Sequence, residues 1–346
     1  MTRPRRVTLD AIARDAGVSP ATVSRAISQP ELLADATLAR VKASASRLGF
    51  RPDGAVRALT SRRFRTIGAI VPTLDSAIFA RALQAMQSTL AQKGFLLLVA
   101  SHESSATAET QAARALLERG VDGLMLVGAE RAPETTAILK EAGLPVLTTW
   151  CGSGDFPSVT IDNALAGRLA AQHLIALGHR RIGMITGHLG FNDRQTARLA
   201  GARAALENAG LSLPDQLVTE QALTLAGGRT GCAELLELED APSAVIGGID
   251  LLAIGCLEEA HSRGIIVPGT LSVIGIDGLE MSAHLSPSLT TVHVPTSVIG
   301  RIAATKLIDR LAGRASEYET SLPVELVVRR SSGSHYDICP SVISQS

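Results

Sequence analysis

Residues 11–28 read AIARDAGVSPATVSRAIS, two short apolar-periodic stretches separated by a glycine and a Ser-Pro pair. Leu9, Ile12, Ala13 and Ala16 fall at i, i+3, i+4 and i+7, one apolar face of a helix that Thr8 can cap. Gly17 ends that helix, because the sharp turn favours a positive φ, and Val18 can pack beneath it. Ser19 can cap a second helix with Pro20 at its first position, where a missing N–H costs nothing; Val23, Ala26 and Ile27 form its inner face. The spacing is that of a helix-turn-helix, whose second helix enters the major groove with its N-terminal residues on base edges. Here Pro20 and Ala21 offer shape and apolar contact, Thr22 a hydroxyl, and Arg25 reach to a guanine edge or a phosphate.

Outward from this stretch, a third amphipathic helix carries Leu38, Val41, Ala45 and Leu48 and stops at Gly49. FRPDGAVRALTSRRFRT, residues 50–66, then reads as a basic linker in which Ala55 to Leu59 can form only a short helix. The chain has no net charge, yet residues 1–66 hold 13 Lys and Arg against 5 Asp and Glu, and the remainder 20 against 28. A small basic domain is joined to a larger acidic one, the electrostatic footprint of nucleic-acid binding. With 346 residues, 46% of them hydrophobic, two or three domains are expected. The four cysteines form no CxxC pair, which predicts neither a disulfide framework nor a zinc site and fits a reducing cytoplasm. No apolar run follows the basic start and none is long enough to span a bilayer, so neither secretion nor a membrane span is expected.

From Thr66 onward nine short apolar runs alternate with helical patterns: TIGAIVP, GFLLLVA, DGLMLVG, LPVLTTW, SVTI, RIGMITG, QLVTE, SAVIGG and LSVIGI. Such alternation predicts parallel sheets with helices on both faces, in two lobes. In open sheets of this kind ligands bind beyond the carboxyl ends of the strands. The residues there are polar: Thr73, Asp75, Trp150, Asp162, Asn163, Asn192 to Arg198, Asp250 and Asp277. Their recurrence in both lobes favours a cleft lined with hydrogen-bonding groups, suited to a polyhydroxylated ligand. Arg194 and Arg198, one turn apart on one helix face, can together bind a carboxylate. No nucleophile elbow, Walker loop, HExxH or strand-following GxGxxG occurs, LAGGRTGC is a glycine pair at a helix start that reads more simply as a turn, and the eight histidines are dispersed. No enzyme, cofactor or metal is predicted.

VTLDAIARDAGVSPATVSRAIS, LGFRPDGAVRAL, HLIALGHRRIGMITG and the series DLLAIG, VPGTLSVIGID, LSPSLTTVHVP together resemble the LacI/GalR family of transcriptional regulators, in order and spacing, from about residue 7 to 330. The resemblance implies a helix-turn-helix domain over 1–52 and a hinge helix and linker over 53–65. It also implies a two-lobed effector-binding and dimerisation domain over 66–331, like that of periplasmic binding proteins; residues 332–346 are expected to be a disordered tail. It implies DNA contacts from Thr8, Ser19, Pro20, Ala21, Thr22, Ser24, Arg25 and Arg57, with Leu59 wedged into the minor groove at the centre of a palindromic operator. Asp53, Gly54 and Val56 depart from the usual hinge, and glycine disfavours helix.

In the larger domain the resemblance implies that Arg198 holds the effector bidentately, that Asp277 accepts from its hydroxyls, and that Phe79 gives an aromatic contact; Asp162 lies at the crossover between lobes. The full set expected at the effector is Thr73, Asp75, Phe79, Trp150, Asp162, Asn192, Arg194, Arg198, Asp250 and Asp277. Ile249-Asp250 replaces the frequent Asn-Asp pair, and Leu223 stands where an aromatic is common, leaving the second lobe without a sugar-stacking platform. Trp150, ending LPVLTTW as in the gluconate-type branch, is expected to supply one, and the effector to be a sugar or sugar acid such as gluconate. Members are homodimers or tetramers; the tail lacks a heptad repeat, so a dimeric repressor is expected. The competing reading, a periplasmic-type sugar-binding protein with the same two lobes, is opposed by the basic first 66 residues.

Overall fold

The computed structural model describes residues 7–29, 32–50, 64–152 and 154–335. The hinge residues Asp53, Gly54, Val56, Arg57 and Leu59 lie outside them. The chain divides into two compact units, residues 1–66 with 120–122, and 67–119 with 123–346.

The first unit holds α1 (Leu9–Ala16), α2 (Pro20–Ser28) and α3 (Asp35–Arg47). Thr8 Oγ1 accepts from the Ala11 N–H at 3.3 Å, and Gly17 takes the left-handed conformation that closes α1, with φ 64. Ser19 Oγ accepts from the Thr22 N–H at 3.1 Å, and Pro20 opens α2. Ile12, Ala13, Val23, Ala26 and Val41 form the core, with Val18, Ile27, Leu38, Ala45 and Leu48 packed around it. The Asp15 carboxylate accepts from Ser44 Oγ and pairs with Arg47, which lashes α1 to α3 and holds that carboxyl below its ordinary value.

The second unit contains two six-stranded sheets. Its elements are β1 (Thr66–Val71), α4 (Ala77–Gln92), β2 (Leu96–Ser101), α5 (Ala106–Glu118), β3 (Gly123–Val127), α6 (Pro133–Glu141), β4 (Val146–Trp150) and β5 (Ser158–Ile161). There follow α7 (Asn163–Ala176), β6 (Ile182–Gly187), α8 (Asp193–Asn208), β7 (Val218–Gln221), α9 (Leu225–Leu236), β8 (Ala244–Gly247), α10 (Asp250–Ser262) and β9 (Ser272–Asp277). β10 (Thr290–His293), α11 (Thr296–Leu311), β11 (Glu319–Leu322) and β12 (Glu325–Val327) complete the chain. The strand orders are β11-β5-β4-β3-β1-β2 and β12-β10-β9-β8-β6-β7. Each sheet is the framework of one lobe. The chain crosses between them after β5, after β10 and between β11 and β12, so each lobe is built from discontinuous segments.

The nine apolar runs are the nine strands β1 to β9, and buried apolar residues such as Ile67, Leu124, Leu147, Ile182, Val245 and Val273 line them. The glycine pair of LAGGRTGC lies at a helix start, in the first turn of α9. Gly228 lets the backbone of α10 approach: a Cβ there would meet the Leu252 carbonyl oxygen at 2.3 Å.

For residues 332–335 the expectation of a disordered tail is corrected. Residues 331–335 are docked on the second lobe. Ser331 is buried and donates to the Val273 carbonyl at 2.6 Å while accepting from the Thr290 N–H at 2.8 Å. The Gly333 N–H donates to Ser272 Oγ, and the His335 N–H to the Leu177 carbonyl. The sequence SSGSH is polar and gave no periodic signal, yet its groups are the partners that buried polar groups of Ser272, Val273 and Thr290 require. Residues 336–346 lie outside the description.

Candidate functional site

The helix expected to face DNA in the first unit is α2. Ser19, Pro20, Ala21 and Arg25 are exposed; Thr22 and Ser24 are half-buried. Ser19 and Thr8 use their hydroxyls as helix caps, and Ser19 Oγ shares a further hydrogen bond with Thr22 Oγ1 at 2.9 Å. These bonds satisfy the free amides at the N-terminus of α2.

In the second unit a cavity of about 510 Å³ opens between the carboxyl ends of the two sheets. Seven of the ten expected effector residues line it: Thr73, Asp75 and Phe79 from the first lobe, Asn192, Arg194, Arg198 and Asp277 from the second. Arg198, on α8, is 1% exposed. Its Nε donates to Asn163 Oδ1 at 3.2 Å and its Nη1 to the Gly248 carbonyl at 2.7 Å and to Asp277 Oδ1 at 3.3 Å. No hydrogen bond engages Nη2 among the described residues, so that nitrogen is the one left for a ligand. Asn163 in turn donates to the Trp150 carbonyl at 3.2 Å, so a continuous polar chain runs from the end of β4 in one lobe to Asp277 in the other.

Asp277 ends β9 at φ 133, a strained conformation for a non-glycine residue. Burial pushes its carboxyl up to about 7; Arg198 pulls it down and the nearby Asp250 pushes it further up. Arg194 lies on the same face of α8, its Nη1 donating to Asp193 Oδ1 at 2.9 Å. Asn192 Oδ1 is buried without a hydrogen-bond partner among the described residues, an acceptor in the wall of the cavity.

Three expected effector residues are corrected. Trp150 is 0% exposed and forms no stacking surface; it lies behind Phe79, edge to face with ring centroids 5.2 Å apart. Its backbone stands at φ 66, a left-handed conformation unusual for a non-glycine residue. Asp162 does lie at the crossover after β5, but it caps α7, accepting from the Leu165 N–H at 2.7 Å, with Arg168 at 3.8 Å. Asp250 is fully buried and holds the loop after β9, accepting from the Leu279 N–H and Ser282 Oγ, both at 2.7 Å, and from Thr291 Oγ1. The carboxylate that spacing assigns to a ligand is consumed by the loop that carries Asp277.

Ile249 and Leu223, singled out as departures from the family, line the cavity too; other lining residues escaped the sequence reading: Glu103 and Ser104 after β2, His188 after β6, and Leu251 and Met281 from the second lobe. The strand-end rule would have found Glu103, Ser104 and His188 had it been applied to every strand. The apolar ones carry no signal of their own. Gln195 also reaches the cavity, but its carboxamide accepts from Thr186 Oγ1 and the Gly187 N–H and donates to the Gly248 carbonyl, so it holds the wall.

The arrangement corresponds to that of known proteins. Residues 8–53 match the family described as bacterial regulatory proteins, lacI family, and residues 171–332 a periplasmic binding protein-like domain. The HTH-type transcriptional repressor PurR of Serratia proteamaculans is 30% identical over 329 residues, 94% of this chain and 96% of that protein. Among solved structures, the Lac repressor dimer bound to operator and the anti-inducer ONPF superposes with a TM-score of 0.85 at 26% identity, over 95% of this chain and 100% of that one. The transcriptional regulator CelR in complex with cellobiose superposes with a TM-score of 0.71 at 30% identity, over 94% and 100%. With its helix-turn-helix, its two-lobed binding domain and relatives matched almost end to end, the chain belongs to the LacI family of DNA-binding transcriptional regulators.

Proposed function

We propose that this protein is a homodimeric repressor of a palindromic operator, controlled by a small anionic polyol, a sugar acid, bound between its lobes. The observation that carries the effector class is the pair of guanidinium groups on one face of α8: Arg198 is fixed with Nη2 unengaged, and Arg194 shares the cavity wall. A carboxylate placed there meets two cations in a poorly hydrated site, where charge-assisted hydrogen bonds are strongest. Asn192 Oδ1 and Asp277 supply acceptors for hydroxyls, and Phe79 a single aromatic face. The cavity serves binding rather than turnover. Occupancy alters the angle between the lobes, and through the paired hinge segments of a dimer the spacing of the two recognition helices. Effector and operator affinities must then change each other by the same factor.

The test is calorimetry of the full chain with a panel of aldonic acids and matched neutral sugars, followed by selection of bound genomic fragments with and without the best binder. Binding of an aldonate that is lost in R194A, and that changes retention of a palindromic sequence, is expected. Tight binding of a neutral sugar with none for the acids overturns the effector class.

A further inference from the structure

The segment that carries Asn192 and Arg194 into the cavity also makes contacts between the lobes. Asp193 opens α8 in the second lobe, and its Oδ2 accepts from two backbone N–H groups of the first lobe, those of Ala129 at 2.5 Å and Glu130 at 3.2 Å. Its other oxygen, Oδ1, accepts from Arg194 Nη1 at 2.9 Å. The loop is pressed onto this ion pair. Gly128 stands at φ 81, and a Cβ there would fall 2.6 Å from Arg194 Nη1 and 3.2 Å from each Asp193 carboxylate oxygen. Arg131 Nη2 donates to the Gly128 carbonyl at 2.6 Å and so braces the same loop. Two residues before Asp193, Phe191 packs edge-on against His102 of the first lobe with centroids 5.7 Å apart.

We propose that Asp193 is a latch between the lobes whose strength is set by how its charge is divided between the amides of Ala129 and Glu130 and the guanidinium of Arg194. The physical reason lies in its two oxygens. While Arg194 neutralises one, the other is a weaker acceptor; a cavity anion that draws Arg194 away leaves the full carboxylate charge on the amides. Occupancy of the cavity thereby tightens the latch with no shift of Asp193 itself. Asp193 acts here as a positioning residue, deepening the proposed function by naming the element that reads occupancy as lobe closure.

Amide hydrogen exchange on the full chain tests this with neither ligand nor DNA present, so a failed effector screen does not bear on it. In D193A the amides of Ala129 and Glu130 are expected to exchange about tenfold faster or more, the effect of losing a hydrogen bond to a charged acceptor. α9 and α10 keep their protection, and small-angle scattering shows a larger radius. D193N, which retains the shape and one acceptor oxygen, gives an intermediate rate and serves if D193A fails to fold. R194Q, which removes the cation and leaves Asp193, slows exchange at the same amides, a change of sign that loss of packing does not produce. Wild-type exchange in both Asp193 variants overturns the latch, and faster exchange in R194Q overturns the division of charge.

Discussion

Asp277 concentrates the chemistry of the cavity in one ionisable group. It is 4% exposed, and its carboxyl, pushed up by burial to about 7 from an ordinary 3.8, binds a proton more tightly in the folded than in the unfolded chain. Its contribution to stability is therefore complete below about pH 4 and is lost as pH rises through 7. For an anionic effector the consequence is sharper, because above that pH a second negative charge faces the ligand. Aldonate affinity is expected to fall by up to about tenfold per unit as pH rises through 7 to 8.5, and calorimetry should show the slope vanishing in D277N. A profile that is equally steep in the variant assigns the proton elsewhere. At this scale the sequence was half legible. Arg198 and Asp277 could be read because strand ends face ligands in such sheets, whereas Phe79, inside α4, was reached only through the family resemblance. Asp250 could not, because spacing does not say that its carboxylate turns inward to Ser282 and Thr291.

Helix contacts hold the arginines in place. α7 and α8 cross with their backbones touching at two glycines: a Cβ at Gly167 would fall 1.9 Å from the Arg198 carbonyl oxygen, and one at Gly201 the same distance from that of Ala164. The first contact is to the backbone of the very residue that binds Asp277. G167A is expected to destabilise the second unit by about 1–3 kcal/mol or more and to shift Arg198 out of register, with effector affinity falling in parallel. Thermal denaturation and calorimetry measure both. Strand legibility followed pattern strength. β1 to β9 announce themselves as apolar runs, whereas β11 and β12 read ETSL and ELV, short and mostly exposed or half-buried. Their place at the sheet edges is decided by the return of the chain between lobes.

Across the whole molecule, the C-terminal segment closes the second lobe after the chain has crossed between lobes for the last time. Ser331 to His335 fill the hydrogen-bonding demands of Val273, Thr290, Ser272 and Leu177, and His179 sits against Gly333 and stacks on His335, its imidazole pushed down to about 4 by burial. Truncation after Arg330 leaves several buried polar groups unpaired, each worth about 1–3 kcal/mol. It is expected to lower the melting temperature by about 5 °C or more, for a unit of this size, relative to the chain truncated after His335. Differential scanning calorimetry separates the two, and equal melting temperatures would show the segment to be passive.

What the sequence by itself determined are the features written in local periodicity and composition: the helix-turn-helix with its caps, nine strands, two lobes, and the partition of charge between a basic and an acidic unit. Each depends on residues within a few positions of one another, where spacing alone fixes which side chains share a face. The tertiary structure decided which strand-end groups look into the cavity and which support it. Trp150 and Asp250 went to support, Glu103 and Met281 to the wall, and Asp193 to the seam between lobes. That choice turns on which way a side chain leaves the end of its strand and on what a distant segment brings against it. The crossings that bring segments far apart in the chain together are not encoded in any one stretch of it.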